Sequence, residues 1–318
     1  MAAPTNTVTT VNNIGIREDL EGDIYRIAPE KTPFTGNIGK TKATNTLHEW
    51  QTETIEAVDA SNFQLEGDDI STLDSARLTT RVSNYCQIFR KSGAVADTQT
   101  GVTLAGRADE MDRQKMLAGI AMKKDIEARF IGNFASNAQS GATPRKAGGA
   151  LAWITSNDSR GASGADGGFG SGVVAAATNG TQRTFTEALV KAMLATAFGN
   201  GSTFSQCYLG GTHKQQFSAF TGIADIRTDV SGKGPATIYG AADVYVSDFG
   251  AITIIPHQYG LTRDALFIDP AMWAVATLRP TYTKALASNG DNEKFGMWTE
   301  KSLVCRNERG GGVVADLT

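Results

Sequence analysis

The spacing of apolar residues changes several times along the chain, and each change predicts a different element. Between Arg17 and Ile27, the residues Leu20, Ile24 and Ile27 recur at helical intervals until Pro29 and Pro33 stop the run. A short amphipathic helix is expected there, preceded by a Thr- and Asn-rich stretch through Asn13 that stays extended until something holds it. With no obvious core nearby in the sequence, this helix is expected to dock on a neighbouring molecule. Alternation then replaces helical spacing from Leu47 to Ile55 and from Ala76 to Arg90, with Leu78, Thr80, Val82, Cys86 and Ile88 on or near one face. The intervening segment 56–75 holds Glu66, Asp68, Asp69 and Asp74 and shows no strong periodicity. Two strands with so long an acidic tip predict a projecting hairpin, which a compact domain retains only for contact.

The strongest helical pattern runs from Thr103 to Asn137, without proline and with only Gly106, Gly119 and Gly132. Met116/Ile120, Leu117/Ala121 and Ile126/Phe130/Phe134 line up as a buried stripe, while Asp109/Arg113, Lys123/Glu127 and Asp125/Arg129 are spaced as i,i+4 ion pairs. About 28 helical residues would make a spine of about 42 Å. From Ser136 to Gln182 the composition turns to Gly, Ala, Ser and Asn, and the patch Leu151, Trp153 and Ile154 predicts a short strand inside a long mobile excursion. Thr184 and Glu187 read as a capping box for a helix that carries Leu189, Met193 and Ala197 and ends at Gly199 or Gly201. A strand at Gln206–Leu209 and a helix opening near Thr212, with Phe217 and Phe220, come next. Strands are then expected around Val244, Val246, Ile252, Ile254 and Ile255, at Leu266 to Ile268, and in a closing set at Trp273 to Leu278, Lys294 to Trp298 and Ser302 to Asn307. Helices mixed with strands in this order predict an α+β fold.

Composition narrows the function classes. Hydrophobic residues make up 41% of the 318, which is ordinary for a folded protein. With 30 basic against 33 acidic residues and a formal net charge of −3, the chain is too balanced to neutralise a nucleic-acid backbone tightly. No apolar run approaches the roughly 20 residues that span a bilayer, and the start has neither the basic nor the apolar region of a secretion signal. Cys86, Cys207 and Cys305 lie far apart without a CxxC pair, which argues for small buried thiols over a disulfide framework or a zinc site. Gly39-Lys40-Thr41 imitates the end of a phosphate-binding loop, but Phe34 stands where the loop's first glycine belongs. His48, His213 and His257 have no metal-ligand spacing, no GxSxG elbow occurs, and the acidic cluster lacks the spacing of a calcium loop. No catalytic residue, cofactor site or metal site is predicted.

Local motifs add a resemblance. Arg17-Glu18-Asp19-Leu20, Ile27-Ala28-Pro29, Thr32-Pro33-Phe34, Ile38-Gly39-Lys40 and Trp50-Gln51 resemble the opening of one branch of the major capsid proteins of tailed bacteriophages, which share the Hong Kong 97-type fold. The likeness continues through Asp243-Val244-Tyr245-Val246-Ser247-Asp248-Phe249-Gly250, Ile254-Ile255-Pro256, Ile268-Asp269-Pro270, Leu278-Arg279-Pro280 and Asn307-Glu308. This resemblance implies an N-terminal arm over 1–46, an extended hairpin loop over 47–92, and a peripheral domain over 93–185 that includes the spine helix 103–137 and the Gly-rich excursion. It also implies an axial domain over 186–270 and a return to the peripheral domain over 271–318. The function implied is that of a non-enzymatic subunit that assembles with itself, as hexamers and pentamers, into an icosahedral phage head. Assembly would take place in the host cytoplasm, around double-stranded DNA that is touched without sequence specificity. Contacts between copies are expected from Leu20, Ile24, Ile27, Phe34, Trp50, Glu66, Asp68 and Asp69. No helical pre-domain is legible ahead of Asn13, so a scaffold is expected as a separate protein, beside a portal and an accessory cement protein, with no membrane partner. No motif for a lysine–asparagine weld is found, so a non-covalent shell is expected. Two other readings stay open, an encapsulin-like protein nanocompartment shell, which would hold a protein cargo, and a soluble α+β enzyme, which would be a small oligomer.

Overall fold

The computed structural model of the chain describes residues 27–53, 55, 58–67, 76, 78–104, 106, 108–220 and 243–318. A one-turn helix, α1 (Pro33–Asn37), opens the described part with proline at its first position, where the missing N–H would have had no helical partner. Strands β1 (Gly39–Lys42), β2 (Leu47–Thr52), β3 (Thr80–Tyr85) and β4 (Gln87–Ala96) follow, then a short helix α2 (Asp97–Thr100) and the long helix α3 (Glu110–Ile131). The glycine-rich segment contains α4 (Ala150–Trp153), β5 (Asp158–Ser159), β6 (Gly168–Gly170) and β7 (Val173–Ala175). After it come α5 (Glu187–Gly199), β8 (Gln206–Leu209), α6 (Gly211–Ser218), β9 (Val244–Ser247), β10 (Gly250–Pro256) and β11 (Ala265–Ile268). Two long strands, β12 (Trp273–Leu286) and β13 (Asn292–Cys305), and a final β14 (Gly311–Val314) close the chain.

Two sheets carry the architecture. One has the order β1-β12-β13-β4, the other β5-β14-β11-β8-β10-β9. Helix α3 lies on the first sheet, where Met111 joins Val95 and Phe295 in one apolar cluster and Met122, Phe130 and Met297 in another. That second cluster also takes in Tyr208, Leu266 and Ile268 from the six-stranded sheet, so the two lobes share one core along a seam. The other face of the six-stranded sheet packs Ile252, Ile254 and Phe267 against Val190, Met193 and Leu194 of α5 and Phe217 of α6.

The spine helix is shorter than its pattern, 22 residues, or about 33 Å. Asp109 caps it, accepting from Met111 N at 2.7 Å, as an aspartate outside the first turn should. At the other end Gly132 turns to extended geometry and Asn133 bonds the backbone of Ala177, with 2.7 Å to its carbonyl and 2.8 Å from its N–H. None of the three expected i,i+4 ion pairs forms. Arg113 pairs with Glu110 and Asp125 with Lys91 of β4, while Arg129 donates to the Ala147 carbonyl and Glu127 turns into the core. Met116 and Phe134, expected in the stripe, are exposed.

Three further expectations are corrected. The patch at Leu151 to Ile154 is a buried helical turn and not a strand, and part of the excursion around it is core: Ala147, Ala150, Ala152 and Val174 are all fully buried. Its glycines permit close approach. A Cβ at Gly180 would sit 2.7 Å from the Gly161 carbonyl oxygen, and one at Gly167 would sit 2.8 Å from the carbonyl carbon of Ala176. The Thr184/Glu187 capping box does not form, because Arg183 is drawn into a backbone pairing with Asp316 and Leu317 and helix α5 starts only after Thr186. Finally, Pro33–Lys42, assigned from the sequence to an arm, is built into the subunit's own body, with β1 parallel to β12 in the register Gly39↔Ala274 to Lys42↔Thr277. The Arg17–Ile27 helix lies outside the described residues except for Ile27, and so does half of the 56–75 tip.

The glycine reading has a direct check. Gly180→Ala is expected to destabilise the folded subunit by about 1–3 kcal/mol through overpacking, seen as a lower midpoint in urea. Gly170→Ala, where a Cβ meets nothing within 4 Å, is expected to change it by less than about 0.5 kcal/mol.

Candidate assembly surfaces

Groups that could carry chemistry are sealed in structural roles. Glu127 is fully buried on α3: Oε1 accepts from Phe34 N at 2.7 Å and His257 Nε2 at 2.8 Å, and Oε2 accepts from Thr35 N at 2.9 Å and Thr35 Oγ1 at 2.6 Å. The carboxylate–imidazole pair resembles a general-base dyad, yet every acceptor position faces a protein donor. It ties the entry of the chain, the spine helix and the loop after β10 together. Tyr259, in that loop, adds a 2.7 Å bond to the Pro29 carbonyl. On β13, buried Glu300 receives Arg279 Nε at 2.7 Å and also binds Arg145, whose Nε reaches the Cys86 carbonyl at 2.6 Å. Burial pushes the Cys86 thiol up to about 11, with Glu300 adding to the rise and Arg145 opposing it, and burial likewise raises Cys207 and Cys305. These thiols are packing groups. Gly39-Lys40-Thr41 forms strand β1 and not a strand-to-helix turn, so it has no phosphate cradle. Among the described residues no group of three or more His, Cys, Asp or Glu is placed to hold a metal ion, and no helix is long and apolar enough to cross a membrane.

What the subunit leaves open is apolar surface. Strands β2 and β3 pair from Leu47↔Tyr85 to Thr52↔Thr80. At their base Trp50 rests on Trp153 with ring centroids 5.6 Å apart, and Trp153 stacks on Phe169. Beyond Thr52 the ribbon loses such support. Ile55, Val58, Phe63, Leu65 and Leu78 are 80–97% exposed, far more apolar area than a free subunit gathers by chance on one ribbon. Thr52, Glu53 and Ile55 begin this stretch at the edge of a cleft of about 740 Å³ that Trp153, Met272, Cys305 and Glu308 also line.

The expected contact residues fall in three groups. Ile27 is fully exposed, and Glu66 is exposed at a turn on the hairpin. Leu20, Ile24, Asp68 and Asp69 lie outside the described residues. Phe34 is a correction: it is fully buried in its own subunit, edge-on to Tyr208 at 5.6 Å and near Trp273 at 6.4 Å, and cannot reach a neighbour. Trp50, half-buried, packs in a tilted contact on its own Trp153. Sequence reasoning missed a second open patch, on the edge strand β9, where Val244 and Val246 project outward beside Phe249 stacked on Phe198 at 4.8 Å. Its signal was the alternation itself, with Tyr245 inward and both valines outward.

Comparison with known proteins gives a consistent picture. The profile of the SU10 major capsid protein family matches residues 3–318. The major capsid protein of Escherichia phage Phieco32 is 26% identical over 351 aligned residues, covering 99% of this chain and 97% of that protein. Among solved structures, the capsid asymmetric unit of cyanophage A-1(L) superposes with a TM-score of 0.68 at 11% identity, covering 98% of this chain and all of that one. The capsid asymmetric unit of cyanophage Pam1 does so with a TM-score of 0.62 at 10% identity, covering 99% of each chain.

Glu127→Ala is expected to cost about 3–5 kcal/mol, because it leaves buried donors on Phe34, Thr35 and His257 without an acceptor. A thermal-denaturation series in which the variant unfolds at the parental temperature would refute the structural role given to Glu127.

Proposed function

Because the chain belongs to the SU10 major capsid protein family, and is accordingly a structural subunit of a tailed-phage head, we propose that it closes the icosahedral shell as hexamers and pentamers held together without covalent welds. The observation that carries this reading is the run of exposed apolar side chains along the hairpin, Ile55, Val58, Phe63, Leu65 and Leu78. Fully burying one such side chain is worth about 1.5–3 kcal/mol. Five of them supply about 7–15 kcal/mol before the cost of association, which is itself of order 4–15 kcal/mol. Each contact is therefore weak alone, and a closed lattice in which every subunit gives and receives one becomes stable through repetition. Rings of one chain need head-to-tail contacts, in which the donating and receiving surfaces differ. The hairpin is the donating surface, and the β9 edge with Val246 and Phe249 supplies a second contact.

In this arrangement the residues before Pro33 act as an arm on a neighbour through Leu20, Ile24 and Ile27. Glu66, Asp68 and Asp69 face a partner at the hairpin tip. The lobe of the six-stranded sheet surrounds the capsomer axis, and the lobe of α3 forms the periphery. Double-stranded DNA lies inside, touched without sequence readout and without tight neutralisation of its backbone, for which a net charge of −3 is unsuited. A separate scaffold, a portal and a cement protein complete the list of partners. The family does not fit a soluble enzyme, and a protein-filled compartment would show itself by its contents.

The test is assembly. Purified full-length chain, with or without a co-expressed scaffold, is expected to give closed shells by electron microscopy and fast-sedimenting particles. Phe63→Ser combined with Leu65→Ser is expected to leave a folded subunit, with unchanged circular dichroism, whose assembled fraction falls at least about tenfold. Parental chain that stays monomeric with scaffold present would sink the shell reading.

A further inference from the structure

The sheet under α3 carries a row of lysines without an ion-pair partner among the described residues. In register, Lys42 of β1 lies beside Thr277 of β12, which lies beside Lys301 of β13, so Lys42 and Lys301 share one face two strands apart. Lys40, two residues before Lys42, projects from the same face, and Lys123 of α3 lies above it, close enough for both Lys40 and Lys123 to act on the charge of Lys301. Lys40, Lys42 and Lys123 are exposed and Lys301 is half-buried. The lysine ion pairs among the described residues belong to Lys91, Lys115, Lys191 and Lys214 and to none of these four. Lys123 would have had Glu127 one turn along the helix, but that carboxylate is committed to Phe34, Thr35 and His257. Burial first, and then the neighbouring Lys40 and Lys123, hold the Lys301 ammonium below its ordinary range. The isolated subunit thus keeps a crowded positive group that an incoming carboxylate would relieve.

The same chain carries the complementary surface. Seven acidic residues stand between Glu53 and Asp74, and no lysine or arginine occurs from Ala43 to Ala76. Of the seven, Glu53, Asp59 and Glu66 are exposed. Among the described residues, no ion pair joins the ribbon to these lysines within one subunit. The ribbon leaves past Met272 and Cys305, four residues along the strand pair from the Thr277↔Lys301 position, which is about 13 Å. We propose that the cluster Lys40, Lys42, Lys123 and Lys301 is the dock for the acidic hairpin, residues 53–75, of a second copy of the chain.

This inference rests on the shell reading and names the surface that receives its hairpin. Such a contact sets register and orientation, since the apolar residues of the ribbon are non-directional while its charges are not. Like charges placed across an interface cost several kcal/mol, opposite ones steer encounter, and both effects weaken with salt.

A charge swap tests it, read by sedimentation of the full chain under the conditions in which the parent assembles. Reversing the dock (Lys40→Glu, Lys42→Glu, Lys123→Glu) and reversing the tip (Glu53→Lys, Asp59→Lys, Glu66→Lys) should each lower the assembled fraction at least about tenfold. Combining the six in one chain should restore it to within about twofold of the parent. If a reversal variant fails to fold by circular dichroism, Lys42→Gln with Lys123→Gln replaces it, with a smaller loss expected in the same direction. Assembly that ignores the dock reversal, or a loss that the combined chain does not repair, overturns the proposal. Normal shells that retain less DNA overturn it as well and assign the lysines to phosphate contact. A parent that never assembles defeats the shell reading itself, which keeps the two failures apart.

Discussion

One buried carboxylate organises the subunit. Glu127 sits in the shared core of the two lobes, and its two oxygens accept four hydrogen bonds from Phe34, Thr35 and His257. A buried charge is tolerable only when its acceptor positions are filled, so the position of Glu127 dictates where three separate segments must lie. The chain entering at Pro33 is bent inward, α1 is fixed against α3, and Phe34 is driven into the pocket formed with Tyr208 and Trp273. The loop after β10 is held by the same group through His257. From this knot the β1 strand is launched into register with β12. Just upstream of α1, the Tyr259 hydroxyl holds the Pro29 carbonyl. That Pro33–Lys42 belongs to the body of the subunit is a consequence of this one set of bonds.

Much of the fold was legible because the evidence for it is local. Alternation placed Gln206–Leu209 as a strand to the residue, and it placed β2 and β3 as the arms of a hairpin. Helix α6, with Phe217 buried on it, followed from its spacing. Where the reading failed, a distant residue had overridden a near one. Lys123 and Glu127 have ideal helical spacing for a surface pair worth a few tenths of a kcal/mol, and they forgo it because backbone N–H groups 92 and 93 residues away compete for the carboxylate. Phe34 was assigned to a neighbour because no apolar group near it in sequence could cover it, whereas its partners are Tyr208 and Trp273.

Glycine misled in both directions. In the 136–182 segment it was read as mobility, although at Gly149, Gly161, Gly167 and Gly180 the backbone is packed against other backbone so tightly that side chains are excluded. At Gly310-Gly311-Gly312 it hid a strand: β14 is buried throughout, and Cβ atoms on Gly311 and Gly312 would press on Ile154, Trp273, Phe204 and Met193. Composition alone cannot separate glycine that frees the chain from glycine that lets two chains touch. The hairpin contacts were readable only as a class. An acidic, apolar ribbon without a home announces a partner, while the surface that receives it is assembled from β1, β13 and α3 and has no signature in any one stretch.

The mixture of charge and apolar surface on the ribbon also explains how such a chain avoids premature aggregation. A long exposed hairpin with Val58, Phe63 and Leu65 uncovered would pair with its own kind if it were neutral. Seven carboxylates on the same ribbon make tip-to-tip contact repulsive, so the apolar groups can be buried only where positive charge offsets that repulsion. The lysine dock meets this condition, and because it lies away from the tip in its own subunit, a contact between dock and tip must be head-to-tail. Head-to-tail contacts propagate into rings and lattices, whereas tip-to-tip contacts would end in closed pairs. The charge pattern therefore does more than add attraction: it removes the dimer that would compete with the shell, and it leaves the geometry of the growing lattice to the rigid body built around Glu127.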